Sequence, residues 1–265
     1  MSLTYKEMQH ALMEGLRLCH FPVAVTFLRD EQAIERFCTH ADVYVPANPL
    51  TFCQAELAAR MQGKTVLMRP ELISCLSAQL SFGLRDISDK DIALQKRNTR
   101  SEEQARRFLA DRPKLDKGLF AAAGIGPLAD VSEEPSAVHF FCDPMQAYHI
   151  LVDYMVATDL HPLRPYQCTG SAACGGSVFS YLEKTANMVT ACAGSYSSGK
   201  TERGELNVML PGCHIEQYVE RFLERAGQNS GSSVTRPGDP FPGADICGNC
   251  PLIRFNKLEK GSGAA

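Results

Sequence analysis

The stretch PSAVHFFCDPMQAYHILVDYMVAT, residues 135 to 158, does most to limit what this chain can fold into. PSAVHFFC, residues 135 to 142, is a short apolar run that reads as a buried strand. Asp143 then caps a helix predicted over 143–158, and Pro144 opens it. A carboxylate at the cap accepts from the orphan amides of the first turn, and a proline there gives up no needed N–H. A strand that passes straight into a capped helix must lay that helix against a sheet.

The rest of the chain repeats the theme without regular βαβ order. Residues 4 to 19 place Met8, Ala11, Leu12, Gly15, Leu16 and Cys19 on one helical face, and FPVAVTFL (21 to 28) is a β-branched strand. TFCQAELAARMQ (51 to 62) reads as a helix with Thr51 as its N-cap and Gly63 as its stop. KTVLM (64 to 68) reads as a strand, and a helix follows Pro70 with Cys75 near its start. The polar segment 85 to 117 predicts exposed helices, with a basic binding face as the other reading. Residues 171 to 186 predict a helix, 187 to 193 and 205 to 211 strands, and 214 to 226 an amphipathic helix. The fold class is therefore α+β, a mixed or antiparallel sheet with flanking helices. The main domain covers 1–226, a Gly/Ser/Pro-rich arm covers 227–260, and 261–265 is a tail.

Charge and hydropathy exclude several function classes. A net charge of −3 gives no electrostatic reason to expect nucleic acid or an anionic membrane as partner. No apolar run is long enough to span a bilayer, and the N-terminus lacks the layout of a signal peptide. The expected location is cytoplasmic. GSYSSGKT (194 to 201) matches a phosphate-loop pattern, but ERGELNVMLP follows it. Gly204 and the alternating apolar residues there predict a strand, whereas a phosphate loop must open a helix. The reading is a turn between strands, with Gly194 and Gly199 in it.

The chain holds 11 cysteines, an odd number. In a reducing compartment they pack, bind metal or react, because a disulfide framework does not persist there. Cys53 and Cys75 lie at predicted helix starts, where thiolates are stabilised. Cys174 stands among glycines that would let a backbone approach a bulky ligand, and Cys192 ends a predicted strand. Cys19, Cys38 and Cys142 are assigned to packing. Cys247 and Cys250, in ICGNCP, have the spacing of zinc knuckles, iron–sulfur ligands and dithiol redox sites. Cys168 and Cys213 are the candidates to complete their coordination. His139, His149 and His161 are scattered and read as structural.

Five segments carry a resemblance: TFCQAELAARMQG, ELISCLSAQLSFGL, SAVHFFCDPMQAYHILVDY, GSAACGG and ACAGSYSSGKTERGELNVMLP. Over roughly residues 5 to 225 the chain resembles the ArCR group of bacterial and archaeal proteins, a domain of unknown function. The resemblance implies that Cys53, Cys75, Cys174 and Cys192 occupy the group's recurring cysteine positions. It also implies a strand connection at the GKT turn, and it implies no activity.

These readings converge on a 4Fe–4S protein with an oxidoreductase type of role, its cluster held by Cys53, Cys75, Cys174 and Cys192. Zinc held by thiolates is the alternative cofactor, and a metal-free dithiol protein the third reading. Dispersed ligands favour iron, since structural zinc more often uses two close pairs. The substrate or electron-transfer partner is not legible, and self-association into a homo-oligomer is left open.

Overall fold

The computed structural model describes residues 3–167 and 170–228. The elements run α1 (Tyr5–Leu16), β1 (Val23–Leu28), α2 (Glu31–His40), β2 (Val43–Tyr44), α3 (Phe52–Gln62), β3 (Thr65–Met68), α4 (Leu76–Ser81), α5 (Asp89–Lys96) and α6 (Glu102–Ala110). They continue with β4 (Ala122–Pro127), β5 (Ala137–Cys142), α7 (Pro144–Thr158), α8 (Ala172–Glu183), β6 (Asn187–Thr190), α9 (Ala193–Ser197), β7 (Leu206–Pro211) and α10 (Ile215–Gln228). The fold is α+β around one mixed sheet of order β2-β3-β4-β1-β5-β7-β6. Only the β2–β3 pair is parallel.

Helices cover both faces of this sheet, so its central strands are buried throughout rather than alternating. On one face Val23, Val25 and Phe27 of β1 pack with Phe52, Ala55 and Ala59 of α3 and with Ala173 and Val178 of α8. On the other, Phe140 of β5 meets Tyr218 of α10 edge to face, with centroids 6.1 Å apart. There the Gln146 amide of α7 donates to the carbonyls of Leu16 and Arg17, at 2.9 and 3.0 Å, and so satisfies the end of α1.

The caps behave as their residues dictate. Thr51 and Gln54 form a reciprocal capping box on α3, and Gly63 closes that helix at φ +65°. Asp143 caps α7 by accepting from Met145 and Gln146. Two expectations need correction. Residues 85–117 do not form merely solvated helices: Ile92 of α5 and Ala105 and Leu109 of α6 close over Leu80 of α4 as a small core of their own. Gly194 does not sit in a turn but inside the short helix α9; Gly199, at φ +70°, does lie in the turn that follows. Helix α10 runs to Gln228, two residues into the expected arm; the rest of the arm, including Cys247 and Cys250, lies outside the described residues, as does Cys168.

Candidate functional site: helix starts that gather cysteines

Each of the four cysteines singled out in the main domain stands at the start of a helix. Cys53 is the second residue of α3, and Cys174 the third residue of α8. Cys75 is the N-cap of α4, and Cys192 the N-cap of α9. An exposed amide row and the positive end of the helix dipole favour a thiolate at such places.

Backbone contacts bring these starts together. Leu50 and Ile73 form an isolated parallel bridge, in which Leu50 N donates to Leu72 O and Ser74 N to Leu50 O, both at 2.9 Å. The bridge sets the segment before Cys53 beside the segment before Cys75. Helix α8 packs on α4, and its glycines make that possible. A Cβ on Gly175 would meet Ser171 Cβ at 3.0 Å and Ser81 Oγ at 3.6 Å, and one on Gly176 would meet Met209 Sδ at 2.8 Å. These glycines therefore accept neighbouring protein, not the bulky ligand that the sequence suggests for them.

The thiols of Cys53 and Cys192 interact side chain to side chain, and Cys174 lies within electrostatic reach of Cys53. Hydrogen bonding from Cys53 holds Cys192 down at about 5 against an ordinary 9.0, opposed by burial and helped by Ser195 and the Ala172 amide. Cys53 moves the opposite way, raised by Cys192, by burial, by Glu56 and by Cys174. Cys192 Sγ also lies 3.6 Å from Ser195 Oγ.

A pH prediction follows from this pair. Cys192 ionises more easily folded than unfolded. Its stabilising contribution is full above pH 9.0 and is lost as the pH falls toward about 5. Cys53 shifts upward and offsets part of it. Reactivity is therefore the sharper measurement. In metal-free protein, iodoacetamide is expected to label Cys192 rapidly at pH 7, with a midpoint near 5, read by mass spectrometry. In Cys53→Ala the midpoint is expected to rise by at least about one unit, since the donor is gone. A midpoint in the ordinary thiol range for the parent protein would refute the assignment.

One turn along α3 from Cys53 lies a fully buried polar set. Glu56 Oε1 is 2.6 Å from His139 Nδ1 on β5, off the line of an ideal hydrogen bond. His139 Nε2 is 2.9 Å from Ser177 Oγ of α8, and that hydroxyl donates to Ala173 O at 2.7 Å. The set ties α3, the central sheet and α8 together directly behind the cysteines. A further turn along α3, Arg60 pairs with Glu205 at 2.7 Å and donates to Lys200 O at 2.8 Å, stacked over Phe141. It holds the loop after α9, and hence Cys192, against the helix that carries Cys53. Residues after the GKT turn lead into β7 and not a helix, so the geometry of a phosphate loop is not formed.

Among the described residues, the group of three ligand atoms lying mutually within 4.8 Å is His20, Glu202 and Glu205. Glu205 Oε1 has no hydrogen-bond partner, yet the Arg60 guanidinium already neutralises that carboxylate and would oppose a cation. Cys142 is buried as expected, and burial pushes its thiol up to about 12. Cys19 and Cys38 correct the packing assignment, because both are exposed. Cys213 is exposed too, beside His214, whose Nδ1 lies 2.9 Å from the Tyr154 hydroxyl. The Glu56 and His139 partnership and the role of Arg60 escaped the sequence reading. One signal was present: Glu56 and Arg60 fall on the apolar face of α3 beside Phe52 and Ala59.

A family model described as Uncharacterised ArCR matches residues 11–221. No curated protein and no solved structure matches the chain.

Proposed function

This chain belongs to the uncharacterised ArCR family, which hands down no activity, and we propose from geometry that it is an iron–sulfur protein whose 4Fe–4S cluster is held by Cys53, Cys75, Cys174 and Cys192. The observation that carries the reading is the meeting of Cys53 with Cys192 near Cys174, each at a helix start. The Leu50–Ile73 bridge sets the segment leading to Cys75 beside the one leading to Cys53, which supports Cys75 as the fourth ligand. Ligand thiols must be deprotonated, and Cys192 is set up for that by its donors.

The spacing weighs against zinc in this site. Zinc–sulfur bonds of ~2.3 Å draw four sulfurs to within ~4 Å of one another. No three of these thiols lie mutually within 4.8 Å, and the contact of Cys53 with Cys192 would have to open for a cluster, larger than one ion, to enter between them. The bound cluster would supply one-electron redox chemistry. The chain's own part is to hold the thiolates and to set charge around them. Arg60 and Glu205 fix the loop bearing Cys192, and Glu56 with His139 fixes α3. The proposal suits a reducing, cytoplasmic setting. Among the described residues no helix is long and apolar enough to cross a membrane.

A dithiol function is the second reading, favoured by the thiol–thiolate contact of Cys53 and Cys192. Thiol–disulfide exchange would join the two sulfurs, and the partner disulfide would take up two electrons, the proton of Cys53 and one proton from water. Cys247 and Cys250 remain candidates for a second metal-binding or dithiol element.

Anaerobic isolation decides among these. The expected product is brown, contains iron and sulfide, and bleaches on reduction. Cys53→Ser and Cys192→Ser are each expected to lose most of the iron, and Cys142→Ser to keep it. A colourless protein with stoichiometric zinc would favour the alternative metal. A metal-free protein that forms a Cys53–Cys192 disulfide with a mild oxidant would establish the dithiol reading instead. Cys247→Ser with Cys250→Ser, assayed alongside, tests the arm: unchanged metal content would rule it out as a ligand source.

A further inference from the structure

Arg112 follows α6 and is 8% exposed. Its Nη1 donates to Ser77 Oγ at 3.1 Å and Ser171 Oγ at 3.2 Å, and its Nη2 to Gln95 Oε1 at 2.9 Å. Among the described residues its Nε has no hydrogen-bond partner. All these acceptors are neutral, and among the described residues no carboxylate pairs with this guanidinium. A buried charge is costly unless it is compensated. Ser171 is the N-cap of α8, so the dipole there adds to the positive potential.

Arg112 forms part of the wall of a pocket of about 500 Å³, a size suited to a small molecule. Leu80, Leu109 and Leu115 supply its apolar side. Its other cations differ in what they have left to offer. Arg85 is held by both oxygens of Asp91, at 2.6 Å each, and Lys117 by Asp86 at 2.5 Å. Among the described residues Lys114 has no such ion pair, and it is exposed at the same pocket. Asp116, also in the wall, is the carboxylate that would repel an anion. The pocket is rigidly backed. Gly83 stands at φ +67°, a Cβ on it would lie 2.3 Å from Leu115 O, and Leu115 N donates to Ser81 O at 2.8 Å.

We propose that this pocket binds a small organic anion, a carboxylate or phosphate ester with an apolar body, whose charged head meets Arg112 and Lys114. The apolar body lies against the three leucines. None of the four cysteines lines this pocket, and its binding test does not depend on what they hold.

Phenyl phosphate, benzoate and benzylamine test this by isothermal titration and thermal shift on the full chain. One or both anions are expected to bind and raise the melting temperature, and which of the two binds tells phosphate from carboxylate. Benzylamine, of like size and opposite charge, is expected to do neither. Arg112→Gln is expected to weaken anion binding at least about tenfold, as loss of a charge-assisted contact does. Lys114→Glu changes an exposed side chain, so it reads binding even where Arg112→Gln fails to fold, and it is expected to weaken binding too. Asp116→Asn is expected to tighten it. The proposal is overturned if neither anion binds at millimolar concentration, if benzylamine binds as well as the anions, or if Lys114→Glu and Asp116→Asn leave the affinity unchanged.

Discussion

His139→Ala is expected to destabilise the protein by about 3–5 kcal/mol, because it takes from the buried Glu56 carboxyl the polar group it faces. Glu56 and His139 are 1% and 0% exposed, and their contact at 2.6 Å is the polar join between α3 and the middle of the sheet. In a domain of this size such a loss lowers the melting temperature by roughly 10 °C. The comparison that isolates the cause is the double variant Glu56→Leu with His139→Phe. It removes both partners and refills the space, so it is expected to recover much of the loss. Thermal unfolding of the reduced proteins, followed by circular dichroism, measures both. A single variant within about 1 kcal/mol of the parent would contradict the buried-contact account, as would a double variant no better than the single.

Gly212→Ala is expected to be as damaging, for a steric reason. A Cβ at this position would lie 1.6 Å from the Pro135 carbonyl oxygen and 2.6 Å from its carbon. Neither side can yield easily. Gly212 N donates to Ser136 O at 3.2 Å, and Pro211 is in register with Ala137, so the end of β7 and the start of β5 are locked together. The cost is expected to be about 3 kcal/mol or more, at the upper end for overpacking, because backbone must move. Soluble yield and melting temperature read it. Gly194→Ala is the control: nothing but Cys192 Sγ, at 4.0 Å, lies near its Cβ, and the residue is helical. That variant is expected to match or slightly exceed the parent. Equal behaviour of the two variants would remove the steric argument.

Local chemistry made much of this fold readable. Thr51 with Gln54 and Gly63, and Asp143 with Pro144, mark helix ends through contacts made within a turn, so their spacing in sequence is enough. Strand β4 was not readable. Its AAGIGP sequence is small because Gly124 lies against the Phe37 ring and Gly126 against Thr65, and both neighbours are distant in sequence. Helix α2 was missed too, although Asp30 caps it by accepting from Ala33. At the candidate site, reading cysteines at element ends picked out residues that the fold places at helix starts. Cys192 proved to begin a helix rather than only to end a strand. What the sequence could not supply was the company those cysteines keep. Nothing in the spacing of residues 56, 139 and 177 joins them, and only the closed sheet does. The charge-rich segment 85 to 117 likewise concealed Arg112, whose burial follows from the packing of α5 and α6 on α4.

The sheet order also governs when the cysteine site becomes complete during synthesis. Strand β6, which ends two residues before Cys192, pairs with β7 alone, and β7 is made after Cys192. The Arg60 brace waits on the same segment, because Glu205 directly precedes β7. A ribosome-bound chain that has just exposed Cys192 therefore holds Cys53, Cys75 and Cys174 with nothing to anchor the fourth thiol beside them. Only when β7 slots between β5 and β6 does Cys192 arrive against Cys53. Strand order alone therefore delays the contact of Cys53 with Cys192 until β7 is made.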